Sequence, residues 1–389
     1  MNHRVLIVGY RTGLSDALTR LGIAHGVWHD RPLKTRRSFL TKLVRDFPRS
    51  RDAIHAVAAL LATDGPFSHV IAGTEAAVYP ASVLRRYLGA RLSKNSIALR
   101  CHDKLLMKTY LCERGIPMTD FLPGGMVDND ADIIRLLGTP VVVKSRLESG
   151  GRNMVFAGDT AVLARHNLRG RILERYVDAP EWSIESFINK QCILFENVTQ
   201  YYVKGEVNLL PAPLPPAQYQ ELLVFNRRVI AAMRISWGMT HLEVYRTPQG
   251  ILFGEIALRP PGGYLMELLD ASYGINAWDA LVAMELDLPF EFPEQARFCS
   301  ASCVFHPGVG QLRAVENWEQ ARALPAVFRS RLKYRPGQSI RRRHSVGEDV
   351  AYLLLKDSDS TQLIKNVDWV RDRLRFILDE SSDTDARII

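Results

Sequence analysis

A mixed α/β (α+β) fold, with a Rossmann-like parallel layer first and an antiparallel sheet after it, is predicted by three features of this 389-residue sequence. Twice near the N-terminus a short apolar run ends in glycine: residues 4–9, RVLIVG, lead into an apolar-patterned stretch over 14–21, and residues 69–72 lead into Gly73 and Thr74. This is the strand, turn and helix rhythm of a parallel layer. Residues 241–247 and 251–259 flank Pro248, Gln249 and Gly250 in the pattern of an antiparallel hairpin. Residues 297–389 alternate short apolar strands with turns and end in a helical pattern over 361–378.

The totals bound the class. A chain of this length with 47% hydrophobic residues has room for two or three domains, each with its own core. No run of about 18 apolar residues occurs, so no membrane span is expected. The opening MNHRVLIVGYRTG has too short an apolar run for a signal peptide, and a cytoplasmic protein is expected. Cys101, Cys112, Cys192, Cys299 and Cys303 are odd in number and scattered, which argues for reduced thiols, and the last two are wrongly spaced for a zinc knuckle. A net charge of +8 raises a nucleic-acid partner. The only dense basic run, Arg341, Arg342, Arg343 and His344, lacks interleaved aromatics, so no nucleic acid is expected and the run reads as a solvated turn or a lure for anionic substrates.

Taken in order, GYRTG lacks both the three-glycine dinucleotide spacing and the lysine of a P-loop. Gly9, Arg11, Thr74 and Glu75 therefore read as turn residues. Residues 103–115, DKLLMKTYLCERG, have an acidic start, apolar Leu106, Tyr110 and Leu111, and a closing glycine, the marks of a capped amphipathic helix with Lys104 in its first turn. Residues 139–144 read as a buried strand ending in Lys144. The SRLESGGRNMVF that follows is either a hairpin turn or a glycine loop able to close backbone N–H groups over phosphates. Glu174, Tyr176 and Val177 lie on one alternating stretch and Glu181 begins another, with a turn over 178–180 between them. PAPLPP at 211–216 interrupts regular structure, and 218–233 and 264–286 read as helical.

If Thr247 faces Ile251 in the hairpin, counting back sets Glu243 opposite Glu255 and His241 opposite Ala257, with Arg259 on the same face. Two opposed carboxylates repel unless a cation lies between them, and Mg2+ commonly takes one or two protein carboxylates. The alternative is a solvated face with the register off by one. Beyond Arg259 the strand breaks into Pro260, Pro261, Gly262 and Gly263, which leaves room for a ligand.

The segment HLEVYRTPQGILFGEIALRPPGG resembles the closing part of the ATP-grasp fold, whose pattern is a glutamate, a turn, and then Glu-x-Asn-x-Arg. The resemblance implies an N-terminal Rossmann-like domain over 1–100, in which Gly9, Arg11, Thr74 and Glu75 are alternatively candidates to line the substrate cleft, a lid subdomain and hinge over 101–180, a large subdomain over 181–296 and a C-terminal subdomain over 297–389, the last similar to that of carboxylase-type members. It implies Glu243 and Glu255 as ligands of Mg2+, with Mn2+ able to substitute, and Arg259 as the group that steadies an acyl phosphate. By the same resemblance Lys104 and Lys144 contact phosphates, and Ser149, Gly150 and Gly151 belong to a lid over 146–153. Glu174 faces the exocyclic amine of ATP, Tyr176 and Val177 line the adenine pocket, and Glu181 takes the ribose hydroxyls. Ala257 departs from the pattern, standing where many members have a metal-binding asparagine.

The implied activity is ADP-forming carboxylate–amine ligation. His-x-Glu before the turn and Glu-x-x-x-Arg-Pro-Pro-Gly-Gly after it look most like the amino-acid and dipeptide ligases. The implied partners are ATP and small-molecule acids and amines, and a homodimer is common in the family. The alternatives are a carboxylase-like or purine-pathway member with another acceptor, and an ATP-binding protein that has lost catalysis.

Overall fold

Four parallel strands open the computed structural model, which describes residues 3–34, 37–90, 95–127, 129–344 and 347–379. They are β1 (Arg4–Val8), β2 (Ala24–His29), β3 (Lys42–Val44) and β4 (His69–Ala72), in the order β3-β2-β1-β4. Val5 to Val8 are all fully buried because both faces of β1 are covered, as in parallel sheets generally. Val5 and Ile7 pack with α1 (Thr12–Arg20), while Leu6 and Val8 pack with α2 (Arg51–Ala62) and α3 (Val78–Tyr87). The ends of β1 and β4 touch so closely that a Cβ on Gly73 would lie 2.1 Å from the Gly9 carbonyl oxygen. Glycine is therefore required there by contact with backbone.

Two helices lead out of this layer, α4 (Asn95–Arg100) and α5 (Lys104–Cys112). The Asp103 carboxylate caps α5 by accepting from the Leu105 and Leu106 amides. The buried face of α5 differs from the expected one: Lys104, Met107, Lys108 and Leu111 point inward and Leu106 is exposed, because two lysines are turned toward carboxylates on other elements.

The next sheet is antiparallel, with β5 (Phe121–Pro123), β6 (Val141–Ser145), β7 (Val155–Ala157) and β8 (Arg171–Arg175) in the order β5-β8-β6-β7, accompanied by α6 (Asp130–Leu137) and α7 (Thr160–Ala164). Internal strand β8 buries Ile172, Leu173 and Glu174 alike, so its sequence alternation does not divide core from solvent.

The large sheet runs β13-β12-β9-β10-β11-β14-β18-β16. Its strands are β9 (Glu181–Asn189), β10 (Cys192–Val203), β11 (Val207–Leu210), β12 (Gly238–Thr247), β13 (Gly250–Ala257), β14 (Cys299–Phe305), β16 (Val327–Leu332) and β18 (Ala351–Asp357). Even-numbered Ile184, Leu242 and Val244 pack against α5 and α8 (Pro216–Met233). Odd-numbered Phe187 and Met239, paired in register, face α9 (Leu265–Tyr273) and α10 (Ala277–Glu285). The single helix expected over 264–286 is thus two, divided where Gly274 takes φ +70° and Asn276 caps α10. They cover the face of the sheet that carries Phe187 and Met239, and α10 also packs on α1. Gly310–Glu316, Ser339–Ile340 and Arg375–Asp379, which are β15, β17 and β19, form a small separate sheet, with α11 (Trp318–Arg322) and α12 (Ser360–Arg373) nearby. The expected terminal helix ends at Arg373 because the chain then enters β19 and pairs with β15. All five cysteines are free, and among the described residues no helix is long and apolar enough to cross a membrane.

Candidate active site

The hairpin reaches the expected pairing by a different route. Thr247 pairs with Gly250, so the turn is Pro248 and Gln249 alone, closed by a hydrogen bond from the Thr247 hydroxyl to the Gly250 carbonyl (3.0 Å). A bulge at Gly254 shifts the register by one, and beyond it Glu243 pairs with Glu255 and His241 with Ala257. A Cβ on Gly254 would lie 2.9 Å from the Glu243 carbonyl oxygen, so glycine permits the bulge that sets the two carboxylates opposite each other.

Each carboxylate of the pair is partly engaged. Glu255 accepts from the Lys104 ammonium at 2.9 Å, and Lys104 also donates to the Glu148 carbonyl at 2.6 Å. Glu243 accepts from the Tyr201 phenol at 3.0 Å and lies 3.5 Å from the His241 ring. The other ring nitrogen of His241 is 2.9 Å from Glu185, a fully buried carboxylate that also accepts from Ser183, Asn197 and Thr199. Burial works against a charged His241, but Glu185 and Glu243 overcome it and raise its pKa to about 9. Burial likewise opposes ionisation of Glu243, and His241, Lys204 and Tyr201 hold its pKa at about 2.

At the end of β13, Arg259 donates to Glu75 at 2.7 Å and to the Pro260 carbonyl at 3.0 Å. Glu75 is buried and also contacts His102 at 3.1 Å; against the penalty of burial, Arg259 and His102 keep its pKa near 2. The residue read as a turn in the sequence is thus the counter-ion of Arg259.

A cleft adjoins the hairpin, bounded by Lys144, Glu174, Tyr176 and Val177 with Val142, Met154, Phe156, Lys204 and Tyr245 among its other walls. Glu174 lies 2.8 Å from Lys144 and 3.3 Å from Lys108. Burial alone would raise its pKa, yet the two lysines hold it near 2. Glu181 pairs with Lys204 at 2.6 Å, although burial and then the charge of Glu243 push its pKa upward. Ser149, Gly150 and Gly151 lie on the β6–β7 connection, outside the cleft wall; the start of that connection is tied to α5 by the two-pronged contact of Arg146 with Asp103 (3.0 and 2.6 Å). Lys108, Tyr201 and Lys204 escaped the sequence reading because single residues on a helix and a hairpin carry no spacing signal.

The C-terminal part, residues 303–379, matches the family model for L-amino acid ligase C-terminal domain 2. An L-arginine-specific L-amino acid ligase of Bacillus subtilis is 27% identical over 326 residues, which span 77% of this chain and 78% of that protein. The crystal structure of an L-amino acid ligase from Bacillus licheniformis superposes with a TM-score of 0.81 at 17% identity, covering 97% of this chain and 99% of the other. The chain has the ATP-grasp fold. A further ATP-grasp neighbour is the biotin carboxylase domain dimer of Hydrogenobacter thermophilus 2-oxoglutarate carboxylase, in complex with MgADP, ADP and bicarbonate. Its TM-score is 0.71 at 13% identity, covering 97% of this chain and 91% of that one.

The residues fit the ATP-grasp cofactor set. Two opposed carboxylates are hard oxygen donors suited to Mg2+, which fills its remaining positions with phosphate and water. Among the described residues no group of three or more metal-binding side chains occurs, and Ala257 offers no donor.

Proposed function

We propose that the chain is an ATP-dependent carboxylate–amine ligase that joins amino acids or small peptides through an acyl phosphate. The observation that carries this reading is the pairing of Glu243 with Glu255, on a hairpin whose Tyr245 also walls the cleft that holds Lys144 and Glu174. The similarity to L-amino acid ligases supports amino acids as substrates.

In this reading Tyr176 and Val177 receive the adenine and Glu174 faces its amine, while Glu181 leaves Lys204 for the ribose hydroxyls. Lys144 and Lys104 meet the phosphates, and residues 146–153, with Ser149, Gly150 and Gly151, close over them to exclude water. Glu243 and Glu255 would hold Mg2+, or Mn2+ in its place, and the bound ion would neutralise phosphate charge. The substrate carboxylate oxygen attacks the γ-phosphorus, the bond to the β-phosphate oxygen breaks, and ADP leaves. The amine nitrogen then attacks the acyl carbon and inorganic phosphate departs. Arg259 and the lysines act by offsetting charge that develops on the transferring group, which in phosphoryl transfer is most of what a protein supplies.

The test is phosphate release from ATP and Mg2+ across single amino acids and amino-acid pairs, with Glu255→Ala alongside. Release that needs a pair and disappears in the variant is expected. Bound ATP with no release for any pair would instead mark a protein that binds nucleotide without catalysis.

A further inference from the structure

Arg11 follows β1 and stands at the start of α1, far in sequence from the hairpin, yet its guanidinium donates to the Pro261 carbonyl at 3.0 Å. Arg259 donates to the carbonyl of Pro260, so two arginines bracket consecutive peptides of one loop. Arg259 has a carboxylate partner in Glu75, whereas among the described residues Arg11 has none at hydrogen-bonding distance. Its guanidinium lies instead over the Trp278 ring, 5.0 Å from the centroid. Glu267, in the first turn of α9, attracts Arg11 without reaching it. Burial and the neighbouring Arg259 both lower the Arg11 pKa, to about 10, as expected of a cation whose charge is incompletely balanced.

We propose that Arg11 anchors the free α-carboxylate of the amino acid that supplies the amine. The proposal rests on the ligase reading above. The donor's carboxylate reacts next to Glu243, Glu255 and Arg259, so a carboxylate that survives the reaction must be held elsewhere. Arg11 is the cation one peptide farther along the same loop, and a guanidinium that spends one of its five N–H groups on Pro261 keeps others for a two-pronged contact with carboxylate. The substrate class this assigns to the acceptor is an α-amino acid or peptide with a free C-terminus, not a simple amine.

The experiment compares the twenty L-amino acids with their α-carboxamides as acceptors, in wild type, Arg11→Gln and Arg11→Lys. Loss of a charged hydrogen-bond partner predicts that Arg11→Gln raises KM for free-acid acceptors about ten- to a hundred-fold. KM for ATP and for the donor should rise far less, and the loss for carboxamides should be at least about ten-fold smaller than the loss for free acids. Arg11→Lys should recover part of the preference for free acids, because charge returns without the fork. Equal losses for acids and carboxamides would show that Arg11 only fastens the loop, and an unchanged preference would show that it touches no carboxylate; either result overturns the proposal. A wild type that couples no pair and releases no phosphate removes the ligase reading itself, and this site with it.

Discussion

Glu255 is the residue on which most of the proposed chemistry converges, since it faces Glu243 across the hairpin and already accepts from Lys104. Glu255→Gln should keep ADP binding in the absence of metal but lower kcat/KM by at least about a hundred-fold, read as phosphate release. Tyr201 supports its partner by donating to Glu243 at 3.0 Å. Removing that donor in Tyr201→Phe should weaken Mn2+ binding, followed by calorimetry with ADP, by about ten-fold, in the range found for groups that orient metal ligands. Glu174 gives a pH prediction. Its folded pKa of about 2 lies below the ordinary 4.5, so unfolding takes up protons as acid is added. The stabilisation is whole above about pH 4.5 and is lost as pH falls toward 2. Its ceiling is roughly 3 kcal/mol. Glu174→Gln should flatten the acid limb of a urea-denaturation series between pH 4.5 and 2; an unchanged slope would mean that the Lys108 and Lys144 contacts do not persist in solution.

Among the elements, the β12–β13 hairpin depends on its bulge. Glu243 and Glu255 oppose each other only because Gly254 is inserted without a partner, and an added methyl group would meet the Glu243 carbonyl. Gly254→Ala should cost about 1–3 kcal/mol in urea denaturation, the usual price of overpacking. It should cost more in activity than in stability, because the register of the two carboxylates moves with it. Helix α5 is the second working element. Its cap and its length were legible in DKLLMKTYLCERG, but the inward turn of Lys108 was not, since a lysine is turned inside only when a carboxylate on another element waits for it, here Glu174 on β8.

On the scale of the molecule, β14, β18 and β16 continue the sheet that begins with the hairpin, pairing through β11. The C-terminal residues are thus joined to the site-bearing strands by a continuous ladder. Deleting residues 297–389 would expose the edge of β11 and the apolar surface now under Ala301, Leu353 and Leu355. The truncated chain is expected to aggregate, and size-exclusion chromatography would detect it; a monodisperse folded fragment would contradict this account. The loop after Arg259 is similarly held from several sides, by Arg11 from the first layer and by Tyr264, whose phenol donates to Asp349 at 2.9 Å.

The sequence by itself determined the local elements and the chemistry of the hairpin. Val5 to Val8 had to be a buried strand, Asp103 a cap, and two glutamates on strands joined by a short turn had to share a face, because these follow from side-chain periods and capping, which act over a few residues. It did not determine the companions. Glu75 beside Arg259, Lys108 beside Glu174, Tyr201 beside Glu243 and Arg11 beside Pro261 are separated by 184, 66, 42 and 250 positions. Burial and ion pairing chose them only once the layers had packed, for a charge in the interior is tolerated only where an opposite charge or a hydrogen-bonding partner is brought to it, and that is a property of the tertiary structure.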